Sequence, residues 1–304
     1  MPSQSTSPIA EAPPKQTATT MLAAMLGACA LIAATSLIAK LLGVAAGADA
    51  LHPLQISAGR FVFALAALAV FIAVARPSLR GGYLGTHLGR ATCGWLGVTC
   101  MFAAVSEMPM ADATALTFLS PIFTMLLAIP ILGDRIGPRR WMAVCISMVG
   151  AAALMGIGTG ALQPAALIAL TAALMFGMES IFVKRLSERE QPIRILFVNN
   201  SIGAVVSLAA ALTVWRWPTA EGWLLLVVLG AAMVSAQALF IQAMKRARAS
   251  QVVPLFYTTL VFAALYDFAL FGEVPSIVAW CGAGLIVAGS VAATLLSAGH
   301  RSTA

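Results

Sequence analysis

LSPIFTMLLAIPILGDRIGPRRWMAVCISMVG, residues 119–150, is the stretch on which the fold turns. It joins two apolar runs through a short turn of glycine, proline and charge, with Arg135, Arg139 and Arg140 all in the turn. A helix needs roughly 20 apolar residues to cross the hydrocarbon core of a bilayer, and these runs have that length. A second stretch, PLFYTTLVFAALYDFALFGEVPSIVAWCGAGLIVAG at 254–289, repeats the arrangement. At an offset of 139 residues, Gly133-Asp134 falls on Gly272-Glu273, Trp141 on Trp280 and Gly150 on Gly289. The same offset brings Pro53 onto Pro192, and a slightly larger one brings Ser36 onto Ser180 and Lys40 onto Lys184. The chain reads as two copies of one unit.

Working outward, apolar runs occupy 20–43, 54–75, 89–107, 111–132, 140–158, 162–183, 193–215, 222–243, 250–271 and 276–297. These ten spans predict an all-α integral membrane protein of two five-helix units, 20–158 and 159–297. A Ser-, Thr-, Pro- and Gln-rich tail at 1–19 reads as disordered, and 298–304 as a short closing tail. Of the 304 residues, 61% are hydrophobic and 10% charged, with mean hydropathy +0.94. That composition excludes a soluble globule, a disordered chain, a coiled coil and a disulfide scaffold. Ala48-Asp49-Ala50 resembles a signal-cleavage site, but the apolar run before it exceeds a signal h-region, so span 1 is read as a true helix.

The net charge of +7 and pI near 9.6 do not point to nucleic acid, because the basic residues lie in short loops. By the positions of the spans, 15 of the 18 Lys and Arg residues fall on one side, with Arg90 counted in the loop before span 3. Arg216 alone falls on the other side, while Lys40 and Arg60 lie within spans. The excess marks the cytoplasmic side and places both termini there. An odd number of spans per unit makes the second unit enter the membrane from the opposite face. Such inverted repeats suit alternating access, since the inward shape of one half is the outward shape of the other.

Two five-helix units, each with a Gly-acid turn before a Trp-containing, Gly-rich last helix, resemble the drug/metabolite transporter superfamily, EamA type. The resemblance rests on Leu119-Ser120-Pro121 through Gly133-Asp134-Arg135 to Gly150, and on Pro254-Leu255-Phe256-Tyr257 through Phe271-Gly272-Glu273-Val274-Pro275 to Gly289. It implies a central cavity among helices 1–4 and 6–9, with helices 5 and 10 as braces. The reading is of a multi-pass protein of the cell inner membrane whose partners are a small-molecule solute and the lipid bilayer, with Glu179 as the candidate site for coupling to protons. Solutes of the superfamily include amino acids, nucleosides, vitamins, S-adenosylmethionine and opine-type metal chelators.

Ionisable groups inside a bilayer are costly and usually face a cavity or a partner. Arg60 is the first candidate for a substrate role, since a guanidinium can hold a carboxylate through two parallel hydrogen bonds. Its alternatives are an ion pair with Asp267 or snorkelling to the headgroups. The repeat sets Arg60 opposite Asn199, a charge against an amide. Glu179 is the candidate proton or amine site, with Asn199 and Asn200 at comparable depth; pairing with Lys184 or Lys245 is its alternative. For Lys40 snorkelling is expected, and for Asp267 a structural partner or helix-end role. Trp95, Thr99, Thr117, Ser120, Gln237, Tyr257 and Thr258 form the expected cavity lining, and Pro121 and Pro254 the expected hinges. Asp134 and Glu273 are expected to cap the following helices. Small residues Ala143, Ser147 and Ala151 on span 5, and Gly284, Ala288 and Ala292 on span 10, are expected to mark close helix packing.

No phosphate-binding loop is present, so a carrier of this kind is secondary, with no cofactor. Cys29, Cys93, Cys100, Cys145 and Cys281 are scattered, and His52, His87 and His300 lie outside the spans, so no metal site or catalytic cluster is expected. The sequence points to export of a small polar or zwitterionic metabolite, an amino-acid-like solute or opine-type chelator. Import of a riboflavin- or S-adenosylmethionine-type solute is the nearest alternative, and a non-transporting membrane assembly subunit the alternative of another class.

Overall fold

The computed structural model describes residues 15–44, 50–77, 81–132, 138–154, 163–187, 189–246 and 258–299. The described elements are all helical. In chain order they are α1 (Lys15–Val44), α2 (Pro53–Ala75), α3 (Leu84–Glu107), α4 (Met110–Thr117) and α5 (Ser120–Leu132). There follow α6 (Pro138–Leu154), α7 (Pro164–Ser187), α8 (Pro192–Ala211), α9 (Ala220–Arg246), α10 (Thr258–Phe271) and α11 (Ile277–Gly299). Among the described residues, seven helical stretches are long and apolar enough to cross a membrane, and two shorter apolar helices accompany them. Large apolar side chains such as Val74, Val205 and Phe268 point outward, as they would toward lipid.

Local chemistry sets the helix ends. Proline opens α2, α6, α7 and α8, where its missing N–H costs nothing and its fixed φ suits the first turn. The Nδ1 atom of His52 caps α2 by accepting from the Leu54 N–H at 3.2 Å. Gly272 closes α10 at φ +66°, a left-handed conformation that glycine adopts without a Cβ penalty, and its N–H reaches the Phe268 carbonyl. That residue is the glycine of the repeated Gly-acid turn.

Span 4 is broken into α4 and α5. Pro121 has no N–H to give to the turn before it, so Phe118 and Leu119 tighten onto Ala115 and Leu116 at 3.1 Å. Pro121 sits in the first turn of α5, just after this break. Pro254 and Asp134 lie outside the described residues.

The packing has a simple order. α3 packs on α7 and α9 on α1; α5 packs on α7 and α10 on α1; α3 also meets α8, and α9 meets α2. α2 pairs with α8, and α6 with α11. If each helix is replaced by the one that follows it at the repeat offset, these contacts exchange among themselves. The α6–α11 pair is close enough that a Cβ on Gly150 would stand 2.6 Å from the Gly282 carbonyl oxygen. The small-residue expectation for the last helix misses this contact. Gly284 faces open space and Ala288 is exposed, while Ala292 packs against the core; the buried side of α11 runs through Gly282, Ala283 and Ile286.

Two other expectations need correction. α1 is helical from Lys15, inside the segment read as a tail, since Lys, Gln and Ala favour helix and nothing there breaks it. α3 begins at Leu84, not near 89, which carries Arg90 from the loop into the helix and buries it at 6% exposure.

Candidate functional site

Helices from both halves surround a cavity of about 390 Å³. Its wall takes residues from α1 to α5 and from α7 to α10, and none from α6 or α11 among the described residues. One part of the wall is polar, with Arg60 on α2, Glu179 on α7, Asn199 on α8 and Gln237 on α9. Thr35, Ser36, Thr114, Thr117, Ser120 and Thr259 add hydroxyls, while Phe61, Phe102, Phe118 and Phe176 supply aromatic surface.

The charges are arranged unequally. Arg90 Nε stands 3.5 Å from Glu179 Oε1, an ion pair, and Arg90 Nη1 donates to the Ile195 carbonyl at 2.8 Å. Arg60 also acts electrostatically on Glu179 but makes no ion pair with it at that range. Its guanidinium lies 4.5 Å above the Phe61 ring, and its Nη1 is buried with no hydrogen-bond partner. Among the described residues one carboxylate therefore faces two guanidiniums, and Arg60 has no ion-pair partner. Gly94 makes room for this arrangement, since a Cβ there would lie 3.1 Å from the Glu179 carboxyl carbon.

The sequence candidates separate clearly. Arg60, Glu179, Asn199, Thr117, Ser120 and Gln237 come together on the cavity wall. Asn200 turns aside and donates to the Leu196 carbonyl at 2.8 Å. Thr99 gives its hydroxyl to Ser57 at 3.0 Å, and Trp95 keeps its ring nitrogen buried; neither belongs to the wall. Thr259, not Thr258, belongs to it, and Tyr257 lies outside the described residues. Arg90, the ion-pair partner of Glu179, is the residue near the cavity that sequence reasoning missed. Its signal was the spacing of Arg90, Gly94, Gly97 and Met101, one helical stripe turned toward α7 and the cavity.

Lys40 and Asp267 behave differently from Arg60. Lys40 does not snorkel: its Nζ bonds Asp267 Oδ1 at 3.0 Å and Glu273 Oε2 at 3.1 Å, and it sits 4.3 Å over the Phe271 ring. Two carboxylates within reach hold the ammonium inside the protein. Asp267 Oδ2 also accepts the Ala111 N–H at 3.0 Å in the first turn of α4. α1, α4 and α10 are thereby tied at one end of the bundle, and Asp267 is not free to pair with Arg60. At the other end His87 Nε2 and Glu190 Oε2 are 2.7 Å apart, and Arg194 Nη1 lies 3.2 Å from Glu190 Oε1. Among the described residues no three His, Cys, Asp or Glu side chains form a metal-binding group.

A helical membrane bundle whose two halves share a polar, partly charged cavity suits a transporter. The sequence matches the EamA-like transporter family over residues 19–156 and again over 163–295, and the chain belongs to that family. It is 28% identical over 238 residues to an S-adenosylmethionine uptake transporter of Rickettsia bellii, covering 78% of this chain and 82% of that one. A riboflavin transporter of Rhizobium johnstonii is 31% identical over 218 residues, 70% of this chain and 71% of its own. The pseudopaline exporter CntI of Pseudomonas aeruginosa is 26% identical over 67% of this chain and 73% of its own. A solved crystal structure shares the fold at TM-score 0.60 and 21% identity, over 94% of this chain and 99% of that one.

Proposed function

We propose that this protein is a secondary transporter of the inner membrane that exports a small polar or zwitterionic metabolite by alternating access. In this reading ten spans form two inverted five-helix repeats, 20–158 and 159–297, with both termini in the cytoplasm. The supporting observation is the shared cavity: both halves contribute to its wall, and it holds Arg60, which has no ion-pair partner among the described residues, beside the Arg90–Glu179 pair. Arg60 takes the anionic group of the solute. Glu179 exchanges protons as Arg90 and the solute compete for it, which couples flux to the proton gradient. Rocking of the halves about the α2–α8 and α6–α11 contacts exposes the cavity to each face in turn.

Import of a vitamin- or cofactor-like solute is the second reading, favoured by the uptake and riboflavin functions in the names of two relatives. Comparing metabolites in medium and cells, with and without the gene, tests both. Export predicts a solute that accumulates inside cells lacking the gene; import predicts one that stays in the medium. No gene-dependent shift in either compartment contradicts the carrier reading.

A further inference from the structure

Where the α1–α2 and α8–α9 connections meet, the bundle end holds a hollow of about 630 Å³. Residues 50–53 and 212–216 line it, and none of them belongs to the central cavity. Gln55, 1% exposed, fixes one side: its carboxamide donates to the Arg216 carbonyl at 2.5 Å and accepts the Arg216 N–H at 3.1 Å. The Arg216 backbone is thereby satisfied, and its exposed guanidinium has no partner among the described residues. His52 supplies a second donor. Its Nδ1 accepts the Leu54 N–H at 3.2 Å, so the proton of the neutral ring sits on Nε2. Thr213 gives its hydroxyl hydrogen to the Ala210 carbonyl at 2.7 Å, and among the described residues no carboxylate lines the hollow. Such a wall suits an anion.

The surroundings suit the level of lipid headgroups. Trp217, Trp215, Trp223 and Phe63 follow one another with ring centroids 6.0, 6.4 and 6.3 Å apart, starting from Trp217 at 82% exposure. Tryptophan collects at the headgroup level of a bilayer. Orientation does not account for a cation here, since Arg216 falls on the side that the other loop arginines and lysines avoid. From the hollow, Leu212, Leu208 and Val205 form one exposed apolar stripe leading along α8. A soluble anion would leave that stripe unused, whereas a lipid uses both parts. An ammonium headgroup would meet Arg216 and find no acid.

We propose that this hollow holds the phosphate head of an anionic phospholipid, with one acyl chain laid along Leu212, Leu208 and Val205. Arg216 and the His52 Nε2–H take the phosphate oxygens, and the tryptophans wall the glycerol. The site is separate from the solute cavity and does not depend on what the cavity carries.

Native mass spectrometry of the full chain released from detergent tests it, with dioleoyl phosphatidylglycerol, dioleoyl phosphatidylethanolamine and glycerol 3-phosphate as probes. One phosphatidylglycerol should stay on each chain, held about tenfold tighter than phosphatidylethanolamine, while glycerol 3-phosphate is not retained. Arg216→Gln should weaken phosphatidylglycerol about tenfold and erase its advantage, and Arg216→Lys should keep part of it. Both variants keep the Gln55 clamp, which uses only the Arg216 backbone, so unfolding temperature in lipid-free detergent should not change. His52→Asp keeps a cap on α2 but turns a donor into an anion, and should abolish phosphatidylglycerol retention. Arg76→Gln, at the far end of α2, should leave retention as in wild type. Equal retention of the two lipids, or phosphatidylglycerol indifferent to Arg216→Gln, would overturn the proposal. Glycerol 3-phosphate bound as tightly as the lipid would also overturn it, by making the hollow a site for a soluble phosphate.

Discussion

Glu179 lies in the field of two arginines, and that placement makes its substitution informative. Glu179→Gln leaves Arg90 Nε without its carboxylate, so that Arg60 and Arg90 both lack an ion-pair partner among the described residues. An anionic solute should then bind more tightly and leave more slowly, so flux falls while apparent affinity rises. If Glu179 carries the coupling proton, the wild-type dependence of flux on a pH gradient should vanish in the variant. Counterflow measured with and without the gradient checks both outcomes. Gly94→Ala should act in the same place by a different route. Its Cβ would stand 3.1–3.2 Å from the Glu179 carboxylate, so the carboxylate must shift. Transport should fall with little change in unfolding temperature. Arg60 and Glu179 were legible in the sequence because each is a lone charge in an apolar run. Arg90 was hidden among loop arginines, since a positive-inside count cannot tell a loop residue from one less than two helical turns in. The partners of Lys40 were equally illegible, because they come from residues 267 and 273, far along the chain.

At the scale of elements, the tie among α1, α4 and α10 invites a test of stability. Removing Lys40 leaves Asp267, 1% exposed, as a buried carboxylate without its cation. Breaking a buried ion pair from one side costs about 3–5 kcal/mol, so Lys40→Met should unfold at clearly lower temperature or denaturant than wild type. Lys40→Met combined with Asp267→Leu should recover part of that loss, because no lone charge remains. The break between α4 and α5 was legible at Pro121, whose ring cannot continue the hydrogen-bond ladder. The face of α11 that meets α6 was not legible, because glycine and alanine line more than one side of that helix and spacing alone does not choose between them.

Across the whole molecule, the exchange of helix contacts at the repeat offset suits two copies of one unit facing each other. The repeat was legible from the Gly-acid turns and the paired Trp and Pro positions. How the halves meet was not, since a bilayer hides no particular helix face from the sequence. Opposite insertion of the halves makes a topological prediction. Reporter tags in the segment between Leu154 and Pro164 should lie on the far side of the membrane from tags at both chain ends. Tags that all report one side would contradict inversion.

Alternating exposure of the shared cavity is tested most directly at Ser120, on its wall beside the helix break. With the five native cysteines replaced, Ser120→Cys can be treated with a membrane-impermeant thiol reagent applied to one face at a time in oriented vesicles. The account predicts reaction from both faces, with the balance shifting when a transported solute is added. Reaction from a single face, unmoved by solute or gradient, would contradict it.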